Sequence, residues 1–170
     1  GITLEPGDPD ASMLVELIRP DGSPRMPYKQ DPLPPEKVAI IERWVKEGAI
    51  EWWGWRADMR EVYSKSHIVT LPSMGEGLPT ALIEAESCGR PVVTTDVPGC
   101  RDVVEEGVNG FLVPPSDPVR LAEAIERLVC DATLRAKMGQ AGRELALRRF
   151  TSAQVIGETM DVYKVVGVSF

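Results

Sequence analysis

One histidine, His67, and three cysteines, Cys88, Cys100 and Cys130, occur in 170 residues. A single imidazole leaves a histidine-rich metal site, or a triad with a histidine base, short of its parts. The cysteines stand 12 and 30 residues apart, which is neither a disulfide framework nor a pair of metal knuckles, so a reduced, cytoplasmic compartment is expected. No stretch approaches the roughly eighteen consecutive apolar residues of a membrane span, and the N-terminus has no basic-then-apolar signal pattern. Positive charge is also short. Lys+Arg number 19 against 26 Asp+Glu, a formal net charge of −7, and an acidic surface argues against nucleic acid or anionic membrane as partner.

What is present is ordinary for a globular chain. Apolar residues make up 43% and charged residues 26%, so global disorder is not expected. The length suits one domain, or one and a small part. No internal repeat or low-complexity tract is visible, but composition shifts along the chain. Eight of the 15 prolines fall within residues 1–35, and all four tryptophans lie between positions 44 and 55. These shifts place a boundary near Gly48–Trp52 and predict two parts, 1–49 and 50–170.

The first part reads as a small, proline-rich helical segment. Asp8 and Pro9 open a helix with Met13, Leu14, Leu17 and Ile18 on one face, and Pro20 stops it. Residues 21–35 are too proline-rich for regular structure. A second helix starts near Glu36, carries Val38, Ile41, Trp44 and Val45 at helical spacing, and ends at Gly48. The second part alternates. Strands are predicted at Ile50–Trp53, His67–Leu71, Pro91–Thr95 and Gly110–Val113. Helices are predicted at Asp58–Ser64, Thr80–Cys88, Cys100–Glu105 (a short turn), Pro118–Val129, Ala132–Arg148 and Ala153–Val165. Such alternation with continuous apolar strands means an α/β fold with a parallel sheet and flanking helices.

In parallel sheets ligands bind beyond the carboxyl ends of the strands. The loop after Leu71 runs Pro72-Ser73-Met74-Gly75-Glu76-Gly77-Leu78-Pro79-Thr80. Its glycines let the backbone turn tightly, and the following helix presents free N–H groups that favour an anion such as a diphosphate. Glu76 would repel phosphates, but fits a site where it accepts hydrogen bonds from hydroxyls beside them. Glu84 lies one turn after Thr80 on the same helix face, and its two oxygens suit a vicinal diol. A plainer reading makes Glu76 a helix-cap acid and Glu84 a solvated surface charge, and spacing alone leaves both open. Ser73 has no histidine or acid at hydrolase spacing. His67 reads as structural, Asp96 as part of a Val97-Pro98-Gly99 turn or as a ligand-facing acid, and Trp53 and Trp55 as one face of a strand.

Residues 51–166, with EGLPTALIEA at their centre and GRPVVTTDVPG, GVNGFLVPP and SDPVRLAEAIERLV after it, resemble the second half of the nucleotide-sugar-binding domain of group 1 glycosyltransferases. These are retaining enzymes built from two Rossmann domains (GT-B type). The resemblance rests on the pair Glu76 and Glu84 with seven residues between. It implies a partial Rossmann-like sheet that binds a nucleotide-sugar such as a UDP- or GDP-sugar. Glu76 would contact hydroxyls of the donor sugar and Glu84 the ribose. Gly77, Leu78 and Pro79 would line the sugar and diphosphate, Thr80 would lie near the phosphates, and Gly54 and Trp55 near the base. No metal is implied, and no catalytic residue is assigned.

In that family an acceptor-binding domain and two further βα units, bearing a basic diphosphate clamp, come first, and residues 1–50 resemble neither. Weak donor binding and no turnover by this chain alone are therefore expected, with homo-oligomers forming through incomplete sheet edges. Residues 6–49, with RMPYKQDPLPPEKVAIIERWVKEGA, are similar to the C-terminal part of a planctomycete-type c cytochrome domain, where Met26 would hold an axial-ligand position. The C-x-x-C-H attachment site is absent, so no haem is expected. Two partial resemblances meeting at Gly48–Trp52 suggest a chimera. The alternative to a donor-binding part is then a non-enzymatic scaffold.

Overall fold

The computed structural model describes residues 7–8, 10–12, 15, 19, 21, 33–51 and 53–167. The chain divides into two compact units, Gly1–Ala57 and Asp58–Phe170.

In the first unit, helix α1 (Pro35–Lys46) opens on Pro34 and Pro35, whose fixed φ suits a first turn. Glu36 in its first turn and Arg43 and Lys46 in its last complement the helix dipole. Val38 and Val45 are buried, and Val45 packs with Val15 and Ile50. Arg19 donates to Asp10 and to Glu42, at 2.7 Å each. The helix expected from Glu36 is thus present, although Trp44 is exposed. Met26 and most of the expected first helix lie outside the described residues. The strand expected at 50–53 does not form: Ile50, Glu51 and Trp53 are irregular, and Trp52 lies outside the described residues. Alternating tryptophans are a side-chain signal, whereas a strand also needs a ladder partner, and none lies beside this stretch in its own unit among the described residues.

The second unit runs α2 (Met59–Lys65), β1 (Val69–Leu71), α3 (Thr80–Ser87), β2 (Val92–Thr95), α4 (Pro98–Val103), β3 (Gly110–Val113), α5 (Pro118–Cys130), α6 (Ala132–Arg149) and α7 (Ser152–Val165). The strands pair in parallel in the order β1-β2-β3, with Val69 opposite Val92 and Val92 opposite Gly110. Every residue of β2 is buried. Its side chains alternate between two cores. Val92 packs with Tyr63, Leu82, Ala85, Cys100 and Val103, and Val93 with Phe111, Val113, Ala124, Leu128 and Met138. Helices α3 and α4 therefore cover one face and α5 the other, while α6 packs against both α3 and α5. The helix starts are set locally. Asp58, Asp117, Asp131 and Thr151 each accept a hydrogen bond from the backbone N–H two or three residues on.

A buried polar joint ties α3 to the turn before β3. Asn109 Nδ2 donates to Glu86 Oε1 (2.7 Å) and to the Val103 carbonyl (3.2 Å), and its Oδ1 accepts from the Glu105 N–H (2.7 Å). Both side chains are fully buried, and Glu86 Oε2 has no protein partner. Helix α6 comes close enough to cover them because Gly142 has no side chain; a Cβ there would sit 3.1 Å from Glu86 Cγ. Burial pushes the Glu86 carboxyl up to about 8, with Arg149 opposing the shift and Glu105 adding to it.

Below the ordinary value of 4.5 the carboxyl is protonated whether the chain is folded or not; between there and about 8 the unfolded chain ionises first. Stability should accordingly fall as pH rises through this window, by an amount on the order of a few kcal/mol. Glu86→Gln supplies an acceptor for Asn109 and cannot ionise. Melting curves from pH 5 to 9 should show a decline for the natural chain that is flattened in Glu86→Gln; parallel declines would refute a buried ionisation.

Candidate functional site

The loop between β1 and α3 is held by the end of β2. Thr94 Oγ1 donates to the Leu71 carbonyl at 2.7 Å and lies 3.1 Å from Cys100 Sγ, while Thr95 Oγ1 donates to the Ser73 carbonyl. The Ser73 N–H turns back to the Leu71 carbonyl at 2.9 Å. Ser73 Oγ then donates to Glu76 Oε1, which fixes the carboxylate of a half-buried residue. The loop also lies against the start of α4. A Cβ on Gly99 would fall within the contact shell of the Glu76 and Gly77 carbonyl oxygens and 2.7 Å from the Gly77 carbonyl carbon. Only glycine admits that approach.

Buried Pro79 occupies the N-cap of α3, no side chain caps the helix, and its first turn holds no acid. Its leading N–H groups thus stay available to an anion. Thr80 and Glu84 are both exposed on α3. The Glu84 carboxylate meets Tyr63 from α2. The Tyr63 hydroxyl lies 3.1 Å from Glu84 Oε2 and 3.2 Å from the Ala81 carbonyl oxygen, with its ring in the core. Burial, then the hydrogen bond to Glu84, push the phenol up to about 12, so it keeps its proton. On the neighbouring strand end Asp96 is paired with Arg101, whose hydrogen bond holds the carboxyl below its ordinary value. That pairing explains Asp96 without a ligand.

The structure therefore brings Glu76, Gly77, Leu78, Pro79, Thr80 and Glu84 onto one loop and helix start. Gly54 and Trp55 belong to the 1–57 unit and are exposed there. A cavity of about 220 Å³ opens at the carboxyl ends of the strands, lined by residues including Met74, Thr95, Pro114, Ser116 and Asp117, and neither glutamate reaches it. Among the described residues no cluster of three or more His, Cys, Asp or Glu side chains is arranged to hold a metal, and no helix is long and apolar enough to cross a membrane. Sequence reasoning missed Tyr63, which is 21 residues from Glu84, and Gly99, whose partner backbone comes from another loop. It considered Ser73 only as a nucleophile, although its distance of three residues from Glu76 was visible.

Two carboxylates, each touching one hydroxyl, beside an open helix N-terminus can accept from several ligand hydroxyls while the helix meets a negative group. The sequence profile of glycosyl transferases group 1 matches residues 29–131. The chain belongs to that family. Alpha-maltose-1-phosphate synthase of Mycobacterium tuberculosis is 30% identical over 161 residues, covering 89% of this chain and 41% of the synthase. Among solved structures, Anabaena HepE in complex with UDP is similar at 30% identity and a TM-score of 0.67, over 75% of this chain and 36% of that one. Sucrose-phosphate synthase from Thermosynechococcus elongatus is similar at 26% identity and a TM-score of 0.68, over 87% of this chain and 35% of the other. The chain thus spans well under half the length of these relatives. The α/β fold expected from the alternation is the fold these glycosyltransferases share with it. The family match begins at residue 29, inside the tract similar to c cytochromes, and crosses Gly48–Trp52. Residues 29–49 accordingly read with the glycosyl transferases, and the comparisons lend the fused cytochrome piece no support.

In this glycosyl transferase chain Gly99→Ala should force the α4 start and the 76–77 backbone apart, costing about 1–3 kcal/mol. Gly157→Ala, on α7 with open space around it, should be neutral or stabilising by up to about 1 kcal/mol. Urea titrations of the two variants check the contrast; equal effects would mean the Gly99 contact relaxes freely.

Proposed function

We propose that this chain is a donor-nucleotide-binding part of a retaining glycosyltransferase and takes a UDP- or GDP-sugar. Glu76 accepts hydrogen bonds from the sugar hydroxyls and Glu84 from the ribose. The backbone at Gly77, Leu78 and Pro79 lines the sugar and diphosphate, and Thr80 meets the phosphates. The observation that carries this reading is the pair of hydroxyl-held carboxylates flanking the uncapped start of α3. The family membership and the UDP-bound relative support the ligand class.

The chemistry assigned to these residues is charge stabilisation. As the glycosyl bond breaks, negative charge grows on the departing diphosphate, and the α3 N-terminus faces it. No Lys or Arg occurs between residues 72 and 89, so that helix start meets the charge without a side-chain cation from the same loop. Weak binding and no turnover by the isolated chain follow from this reading. A secondary reading, self-association by strand pairing, is favoured by β1, whose outer edge has no partner strand among the described residues. Sedimentation should then show a concentration-dependent mass above 18.6 kDa, whereas a monomer at all concentrations refutes it.

Calorimetric titration of the 170-residue chain with UDP, GDP and their sugars tests the main reading. Saturable binding is expected for one nucleotide class, and Glu84→Ala should weaken it by about ten- to a hundredfold, the value of one charge-assisted hydrogen bond or slightly more. Absence of saturation up to millimolar ligand, or unchanged binding in Glu84→Ala, overturns it.

A further inference from the structure

We propose that Tyr63 is a positioning residue that sets how Glu84 meets its ligand, and thereby the preference of the site for ribose over deoxyribose; this inference rests on the donor-nucleotide reading. Glu84 stands on the solvent side of α3, where a glutamate ordinarily samples several rotamers, and holding it in one of them costs entropy on binding. Tyr63 removes that freedom before any ligand arrives.

The tyrosine is packed into the core. Its ring is 4% exposed and packs among Leu82, Ala85, Val97 and Val104. Its hydroxyl emerges between two groups of the same helix, the Ala81 carbonyl oxygen at 3.2 Å and Glu84 Oε2 at 3.1 Å. The phenol keeps its one proton and shares it between these two acceptors, so it stays a donor toward Oε2. It engages one carboxylate oxygen and leaves Oε1 and the remaining lone pair of Oε2 to accept. Two vicinal hydroxyls are the group that uses both acceptors at once, and a sugar lacking one of them leaves an acceptor unmet.

Tyr63→Phe keeps the ring and deletes only the donor. Against whichever of UDP and GDP binds, it should weaken affinity about three- to tenfold, as expected for one hydrogen bond. The ratio of affinities for that nucleotide and its 2′-deoxy counterpart should shrink in the same variant. Because both affinities are measured on one sample, an unfolded fraction cancels from the ratio. In a Glu84→Ala background, where the hydroxyl has no side-chain acceptor to orient, Tyr63→Phe should change neither quantity further. If Glu84→Ala loses the ribose preference but Tyr63→Phe keeps the natural affinity and ratio, the positioning role is refuted and the donor reading stands. Equal weakening toward both nucleotides in Tyr63→Phe would assign the hydroxyl a purely structural role and also refute the proposal. A natural ratio and affinity in Glu84→Ala would instead overturn the donor reading beneath it.

Discussion

Burial of β2 on both faces is the constraint from which the 58–170 unit is built. A parallel strand cannot lie in water on either side without exposing a run of apolar residues, so Val92 and Val93 each require a layer of helix above or below the sheet. Those layers dictate where α3 and α5 sit, and hence which loops emerge at the carboxyl end of the sheet. The last two residues of the strand, Thr94 and Thr95, are buried hydroxyls whose donors need acceptors. They find them in the Leu71 and Ser73 carbonyls. The strand that organises the core therefore also anchors the loop carrying the candidate site.

The same logic recurs one layer out. Each candidate carboxylate is touched by a hydroxyl from a different place: Ser73 within the loop for Glu76, and Tyr63 from the preceding helix for Glu84. Core packing places the tyrosine ring, so the orientation of an exposed acid is dictated by a buried aromatic. Gly99 completes the arrangement by letting the start of α4 press against the loop backbone. A site assembled this way is positioned by the hydrophobic layer beneath it more than by its own residues.

Glu86 marks a contrast with its neighbour two positions away. Glu84 projects outward with a solvated carboxylate, whereas Glu86 turns into the protein, bonds Asn109 and leaves one oxygen unmet. Helical spacing explains the opposite fates, since residues two apart on a helix lie on different faces. The buried acid ties α3 to the approach of β3 and makes the joint sensitive to pH, without touching the outward face that carries Glu84.

Much of the second unit was legible locally. Gly110–Val113 and the Asp117-Pro118 start of α5 appear where a short apolar run and a capping pair place them, because those signals act over three or four residues. The loop from Pro72 to Thr80 and the seven-residue interval between Glu76 and Glu84 were equally visible, and the family membership they implied holds. The tryptophan-rich stretch at 50–53 was misread, because alternation reports side chains and says nothing of a hydrogen-bonding partner. The cytochrome likeness rested on a proline-rich tract and its helix, and the family match from residue 29 takes in that helix. The sequence by itself determined the class of fold, the family and which loop carries the acids. Only the tertiary structure decided which carboxylate is held, which is buried and which oxygens stay open. The partners Tyr63 and Glu84, or Asn109 and Glu86, stand 21 and 23 residues apart, and contacts at that separation are made by packing rather than by any pattern along the chain.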